Sequence, residues 1–188
     1  MGRLIASMSV SLDGFAAGPG GSLDRFRIDE EVHGAFNEES RASEAFLFGR
    51  RMYELMDAYW PTADRDPDAT PAMLEYAAIY TATPKVVFSG SLTEVSPGYR
   101  LVTGDALGEI TRLRASTAGD LGIGGPTLAG AALQAGLLDE VRLYVNPVLL
   151  GDGLPFFPRL ASPVSLEPID RTEYASGVVR LVYGVRPA

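Results

Sequence analysis

Apolar and polar positions alternate through residues 3–12, with Leu4, Ala6, Met8, Val10 and Leu12 on one side of an extended chain and Ile5, Ser7, Ser9 and Ser11 on the other. A two-residue period predicts a strand, and Asp13-Gly14 ends it. Residues 16–22 hold Gly18, Pro19, Gly20 and Gly21, too flexible for regular structure and suited to a surface loop that closes over a ligand. Residues 29–43 predict a helix. The apolar run 45–49 stops at Gly49 and passes into a helical pattern at 50–59, with Met52, Leu55, Met56 and Tyr59 at helical spacing. The same grammar recurs where 85–88 meets Ser89-Gly90, and where 120–123 meets Gly124-Gly125 before a helix at 126–135. Segments 72–80 and 105–115 read as helices, while the charged, proline-rich stretch 61–70 reads as a loop. The last third changes character: strands are expected at 140–148, 164–174 and 178–185, the last two joined by Ala175-Ser176-Gly177 as a hairpin. Strands alternating with helices predict an α/β fold with a mainly parallel, twisted sheet, flanking helices and an antiparallel C-terminal edge.

Nothing in the pattern marks a domain boundary, and 188 residues at 46% hydrophobic content suit one domain over 1–188. The chain has no cysteine, which removes disulfides, thiolate catalysis and cysteine-bound zinc. His33 is the single histidine, so a site built from two or three imidazoles is excluded within one chain. A formal net charge of −8 argues against nucleic acid and anionic membrane as partners. No window reaches the apolar length of a membrane span, and the expected location is the cytoplasm. Gly-Lys-Ser/Thr, Gly-x-Ser-x-Gly and carboxylates at metal spacing are all missing, so no metal site is expected.

The strongest chemical signal is Ile123-Gly124-Gly125-Pro126-Thr127-Leu128. Two glycines let a backbone approach a ligand closely, Pro126 suits a first helical turn, and the free N–H groups there can hold a phosphate. Equally, the segment serves as a tight strand-to-helix turn with no ligand. Gly49-Arg50-Arg51 opens a second helix with cations at the end where they oppose the helix dipole, which calls for an anionic partner; the alternative is pairing with Glu54 and Asp57 along the helix. Ser89-Gly90-Ser91 follows the third strand of this type. Three such ends would gather along the carboxyl edge of a parallel sheet, where open α/β sheets bind ligands. His33 is a candidate proton donor, with the ordinary helical surface residue as its alternative. Phe36, Trp60 and Phe156, the last beside Phe157, are candidates for stacking on a flat substrate ring, with core packing as the other role open to each.

Four ordered blocks carry a resemblance. Met8-Ser9-Val10-Ser11-Leu12-Asp13-Gly14-Phe15, Phe48-Gly49-Arg50-Arg51-Met52-Tyr53-Glu54, Lys85-Val86-Val87-Phe88-Ser89 and Ile123-Gly124-Gly125-Pro126 resemble the motifs of the dihydrofolate-reductase-like superfamily. More narrowly they resemble the C-terminal reductase domain of the riboflavin-biosynthesis deaminase/reductase (RibD). The resemblance implies NADPH as cofactor, its pyrophosphate between the Gly49 helix start and the start formed by Gly124, Gly125, Pro126, Thr127 and Leu128, with Arg51 and Gly90 close by. It implies Arg50 and Ser89 on the 2′-phosphate, Ala6 and Ser7 beside the nicotinamide, and Ala17 on a loop over it. Met52 stands where the family usually carries Thr, leaving backbone N–H groups to hold the pyrophosphate. Dihydrofolate reductases place an essential acid on the first helix; the corresponding level here is near Val32 and His33, and no equivalent acid stands there.

The implied function is NADPH-dependent reduction of a small heterocyclic, carbonyl or imine metabolite, similar to that of 5-amino-6-(5-phosphoribosylamino)uracil reductase. The alternatives are a non-catalytic NADPH-binding sensor or interaction module, and dihydrofolate reductase itself. A homodimer through the antiparallel edge is also compatible with the pattern.

Overall fold

Strand β1 (Leu4–Ser11) forms where the alternation places it, and the computed structural model, which describes residues 1–186, shows why the two sides of the strand differ. Leu4, Ala6 and Val10 enter the main core, which they share with Leu47, Val86, Leu121, Ile123 and Val141 from other strands. The same core takes in Ile110 of α4 (Ala106–Ser116) and Leu128, Ala129, Ala132 and Leu133 of α5 (Pro126–Gln134). Ser7 on the opposite side of β1 faces α1 (Glu30–Arg41), to which its hydroxyl is bonded.

Eight strands make one sheet in the order β5 (Tyr99–Val102), β4 (Lys85–Phe88), β3 (Ser43–Gly49), β6 (Asp120–Gly124), β1, β7 (Glu140–Asn146), β10 (Val179–Val185), β9 (Leu166–Glu173). Every pairing from β5 to β7 is parallel, and β10 pairs antiparallel with both β7 and β9. The parallel body and antiparallel edge therefore agree with expectation. Phe46 and Phe48 of β3 and Val87 of β4 pack with Tyr53 of α2 (Arg50–Asp57) and Tyr80 of α3 (Pro71–Ala82) in a second core. Helix α1 covers Tyr144, Tyr174 and Val178 with Val32 and Phe36. Its start is fixed by Asp29, whose carboxylate accepts the Val32 N–H at 2.9 Å, the bond an N-cap residue makes.

Three readings need correction. The glycine-rich segment 16–22 is not loop throughout: Phe15–Ala17 forms β2, paired with β8 (Leu154–Pro155), and Ala16 and Ala17 are buried. Gly153 makes the pairing feasible, because any Cβ there would lie 2.1 Å from the Ala17 carbonyl oxygen at a φ of +144°. Within 61–70, Trp60–Arg65 is a 3-10 helix with proline in its first turn. Strand β5 has no counterpart among the predicted elements.

Asp13 ties this region together. Its carboxylate accepts the N–H of Leu150 at 3.1 Å and of Gly151 at 2.8 Å, fastening the end of β1 to the segment before β8. The Ser11 hydroxyl and then these amides hold its pKa down, at about 2 against an ordinary 3.8. A depressed carboxyl stabilises the fold fully above the unfolded value and loses that contribution as pH falls through the folded one. Asp13→Asn is therefore expected to lower the melting temperature at neutral pH, by a margin that closes between pH 3.8 and about 2. A margin that stays constant over that acid range would show that the carboxylate's charge does not matter.

Candidate functional site

Strands β4, β3, β6 and β1 are neighbours and point the same way, so Ser89, Gly49 and Gly124-Gly125 come to one edge of the sheet, as the sequence leads one to expect. The starts of α2 and α5 touch: a Cβ on Gly49 would lie 3.6 Å from that of Leu128, and one on Gly125 would lie 3.3 Å from that of Met52. Gly125 has φ +93°, a conformation side chains avoid, and no side chain caps either helix. Two sets of uncapped N–H groups thus converge at one place, with Pro126 in the first turn of α5 and Thr127 exposed beside it. Uncapped helix starts favour anions through their N–H groups and dipoles.

Gly124 has a second reason to lack a side chain. A Cβ there would stand 3.0 Å from the Phe48 ring and 3.1 Å from Met52 Cγ. Met52 therefore lies against the glycine turn itself.

The arginines differ. Arg50 donates from Nε to Glu54 at 2.6 Å and from a terminal nitrogen to the Ser91 hydroxyl at 3.0 Å. The helix-pairing alternative is thus realised, although both partners are half exposed, where such a pair contributes little. Arg51 is exposed, with no ion pair among the described residues. Ser89 accepts the N–H of Ser91 and Leu92 at 3.2 and 3.1 Å, shaping the turn that holds Ser91 toward Arg50. Gly90 is exposed beside it.

Next to the glycine turns, between α1 and α2, lies a cavity of about 280 Å³. It brings together Ser7, His33, Phe36, Met52, Trp60 and Gly124 of the predicted set. Ala6, almost fully buried, points into the main core and offers only its backbone; Ala17, buried in β2, is not in the lining. Phe156 is the clear departure. At 3% exposure it fills the main core, its N–H bonded to the Gly14 carbonyl, and it does not line the cavity. The β2–β8 pairing carries it inward, so its role is packing.

His33 packs edge-on against Trp60 and Tyr76, 5.8 Å from each ring centroid. Its Nδ1 faces Asn37 Oδ1 at 3.2 Å. Asn37 is oriented by its amide nitrogen, which donates to the Ala72 carbonyl and to Glu75. Oδ1 must therefore accept, placing the neutral imidazole's proton on Nδ1 and leaving Nε2 an acceptor.

Sequence reasoning missed Glu39. Two turns beyond the level where an acid was sought, this α1 carboxylate lines the cavity with its side chain 10% exposed. It accepts from Ser7 Oγ at 2.7 Å, Tyr144 OH at 2.9 Å and Arg180 Nε at 2.8 Å, with Arg142 at 3.7 Å. Burial first, and then this carboxylate, raise the Tyr144 pKa, so the phenol stays protonated and donates. The usable signal was helical spacing: Glu39 follows Phe36 by three residues, on the face that packs. On the other flank of α1 a hollow of about 480 Å³, lined by Glu30, Glu31, Glu38 and Glu75 among others, does not reach the glycine turns. Among the described residues no cluster of histidine and acidic side chains could hold a metal, and no helix is long and apolar enough to cross a membrane.

Comparison with known proteins gives the family and the fold. The family model for the RibD C-terminal domain matches residues 3–180. The uncharacterized protein YyaP of Bacillus subtilis is 29% identical over 182 residues, covering 96% of this chain and 94% of that one. A solved structure from Shewanella sp. PV-4, named for riboflavin biosynthesis, superposes with a TM-score of 0.77 at 25% identity, covering 98% and 99% of the two chains. Dihydrofolate reductase from Enterococcus faecalis, in complex with NADP(H), superposes at 0.67 with 14% identity over 98% and 97%. The fold is therefore of the dihydrofolate-reductase type.

Proposed function

Since the chain belongs to the RibD C-terminal domain family, we propose that it is an oxidoreductase that binds NADPH across the starts of α2 and α5 and reduces a small molecule held in the adjoining cavity. The observation that carries this reading is the contact between two uncapped helix starts beside a cavity large enough for a small ring. When bound, the reduced nicotinamide supplies hydride. The protein's work is to position both reactants and to exclude water, and such positioning alone can remove a large part of a barrier.

Each group then has a task. The backbone N–H groups of Gly125, Thr127 and Leu128, with those of Arg50 to Met52, would hold the pyrophosphate; Pro126 has none to give. Arg50, released from Glu54, would pair with the 2′-phosphate, the exposed pair it leaves being worth only about 0–1 kcal/mol. Ser7, fixed by Glu39, lies at the end of the cavity near the sheet edge. Phe36 and Trp60 flank the substrate. His33 turns Nδ1 toward Asn37, so the proton that completes reduction comes from water or from the other ring nitrogen, Nε2. Glu39 already accepts three hydrogen bonds, which disfavours it as the anchor of a pterin and disfavours dihydrofolate reductase as the activity.

Quenching of intrinsic fluorescence by NADPH should saturate in the micromolar range, and a panel of pterins, ribosylaminopyrimidines, quinones and aldehydes should include at least one that consumes NADPH at 340 nm. Saturable binding with no consumption across the panel would favour a binding module; no binding would end the reading.

A further inference from the structure

The cavity beside the glycine turns is walled chiefly by carbon, with Ile5, Ile28, Phe36, Met56, Trp60 and Tyr76 prominent. Three charged side chains reach its lining: Glu39, Asp120 and Arg142. All are already paired. Arg142 donates to Glu140 at 2.6 Å, and Asp120 accepts from Arg3 at 2.9 and 2.5 Å. Glu39 is held as described above. Arg180 and Arg3 neutralise the two carboxylates, and Arg142, the one guanidinium in the lining, already faces Glu140 and Glu39, so no cation there is free to meet an incoming anion. A phosphoester carried into such a place would lose its water and find no partner, a heavy cost for a dianion.

One fully buried polar atom among the residues of the lining has no partner. Ser9, 8% exposed, carries a buried hydroxyl without any hydrogen bond in the protein, two residues along β1 from Ser7. Buried hydroxyls are nearly always satisfied, so an orphan in a cavity floor indicates what the occupant supplies. It is a donor closed off in a wall that is chiefly carbon. At about 280 Å³ the cavity lies near the lower limit of ligand pockets and suits one or two fused rings.

We infer that the substrate of this site is a small, uncharged, planar ring bearing a conjugated carbonyl, which accepts a hydrogen bond from Ser9, and that phosphorylated and other anionic metabolites are rejected. This rests on the reductase reading and names its substrate class. The step balances as a two-electron reduction: hydride adds to a ring carbon conjugated with the carbonyl, the displaced electron pair moves to the carbonyl oxygen, that oxygen takes a proton from water, and NADPH becomes NADP⁺. Ser9 donates to the oxygen as its charge grows.

Trp60 is the only tryptophan and stands in the cavity wall, so the protein reports on its own cavity. The fluorescence of the full chain, without cofactor, is titrated with 2-methyl-1,4-naphthoquinone and with 1,4-naphthoquinone-2-sulfonate, a comparable ring carrying a fixed negative charge. Saturable quenching by the neutral quinone is expected, with binding of the sulfonate weaker by a factor on the order of ten or more. Ser9→Ala should weaken the neutral quinone about fivefold while melting no lower than the parent, because it removes an unpartnered hydroxyl. Absence of saturable quenching by the neutral quinone, equal or tighter binding of the sulfonate, or unchanged quinone affinity in Ser9→Ala would each overturn the inference. The comparison of the two quinones on the parent protein stands even if the variant folds poorly. NADPH is titrated separately on the same material: its failure to bind removes the reductase reading, whereas NADPH binding together with preference for the anionic ring removes only the substrate class.

Discussion

Glu39→Gln should be the most damaging conservative substitution in the helix that covers the cavity, lowering stability by about 2–3 kcal/mol. For a chain of this length that corresponds to a fall in melting temperature of roughly 5–10 °C. The glutamine keeps the shape and one acceptor but loses the charge that Arg180 and Arg142 face at 19% and 14% exposure. Breaking a buried pair from one side strands the other, which is where the large cost arises. Here Arg180 retains Asp170 at 3.1 Å and Arg142 retains Glu140 at 2.6 Å, which is why the expected loss lies below the upper end of such effects. Glu38→Gln is the matched control. Glu38 is an exposed neighbour on the same helix, and its substitution should stay within about 0.5 kcal/mol of the parent. Equal melting of the two variants would mean that the Glu39 cluster contributes nothing to the fold.

That cluster also marks the limit of what the chain's pattern could reveal. The strands that build the site were legible because each is an apolar run stopped by a glycine or serine: Phe48-Gly49, Phe88-Ser89 and Ile123-Gly124 all end where the pattern ends. Their neighbour relation followed from the repeated strand-to-helix grammar, since parallel strands need helical crossovers. Strand β5 escaped because only four residues form it, none fully buried, with Arg100 among them. The β2–β8 pair escaped because three residues meet two across more than a hundred positions, and the pairing depends on Gly153 rather than on any local run.

Glu39 was hidden for a related reason. A charge in a helical pattern is read as solvent-facing, and what buries this one, Ser7, Tyr144 and Arg180, comes from β1, β7 and β10. Spacing from Phe36 puts Glu39 on the packed face of α1, but no period within the helix encodes the partners that hold its charge. The same physics separates the two aromatic candidates that stayed in the cavity from the one that did not. Phe36 and Trp60 sit on or next to helices flanking the sheet, whereas Phe156 follows a two-residue strand whose partner draws it into the core. Composition placed the aromatic rings, but only long-range pairing could tell wall from core.

Arg50→Ala should weaken NADPH by one to two orders of magnitude while changing NADH affinity by less than about threefold, because the two cofactors differ only in the 2′-phosphate. Charge-assisted hydrogen bonds to a phosphate contribute about 1.5–3 kcal/mol, which converts to roughly 10–150-fold. Two features of the structure make Arg50 the residue to test. Its terminal nitrogen already reaches Ser91, beside the turn that Ser89 organises, so the guanidinium is held near the carboxyl edge of the sheet. Its other contact, to Glu54, is an exposed pair whose loss should barely affect folding, so reduced cofactor affinity cannot be a by-product of instability. Arg51→Ala separates the neighbours: this exposed side chain has no ion pair among the described residues, and a general electrostatic role would weaken NADPH there as much as at position 50. Matched losses for NADPH and NADH in Arg50→Ala, measured by fluorescence titration at one fixed salt concentration, would remove the 2′-phosphate contact. The pyrophosphate site would then rest on the backbone amides of α2 and α5 alone.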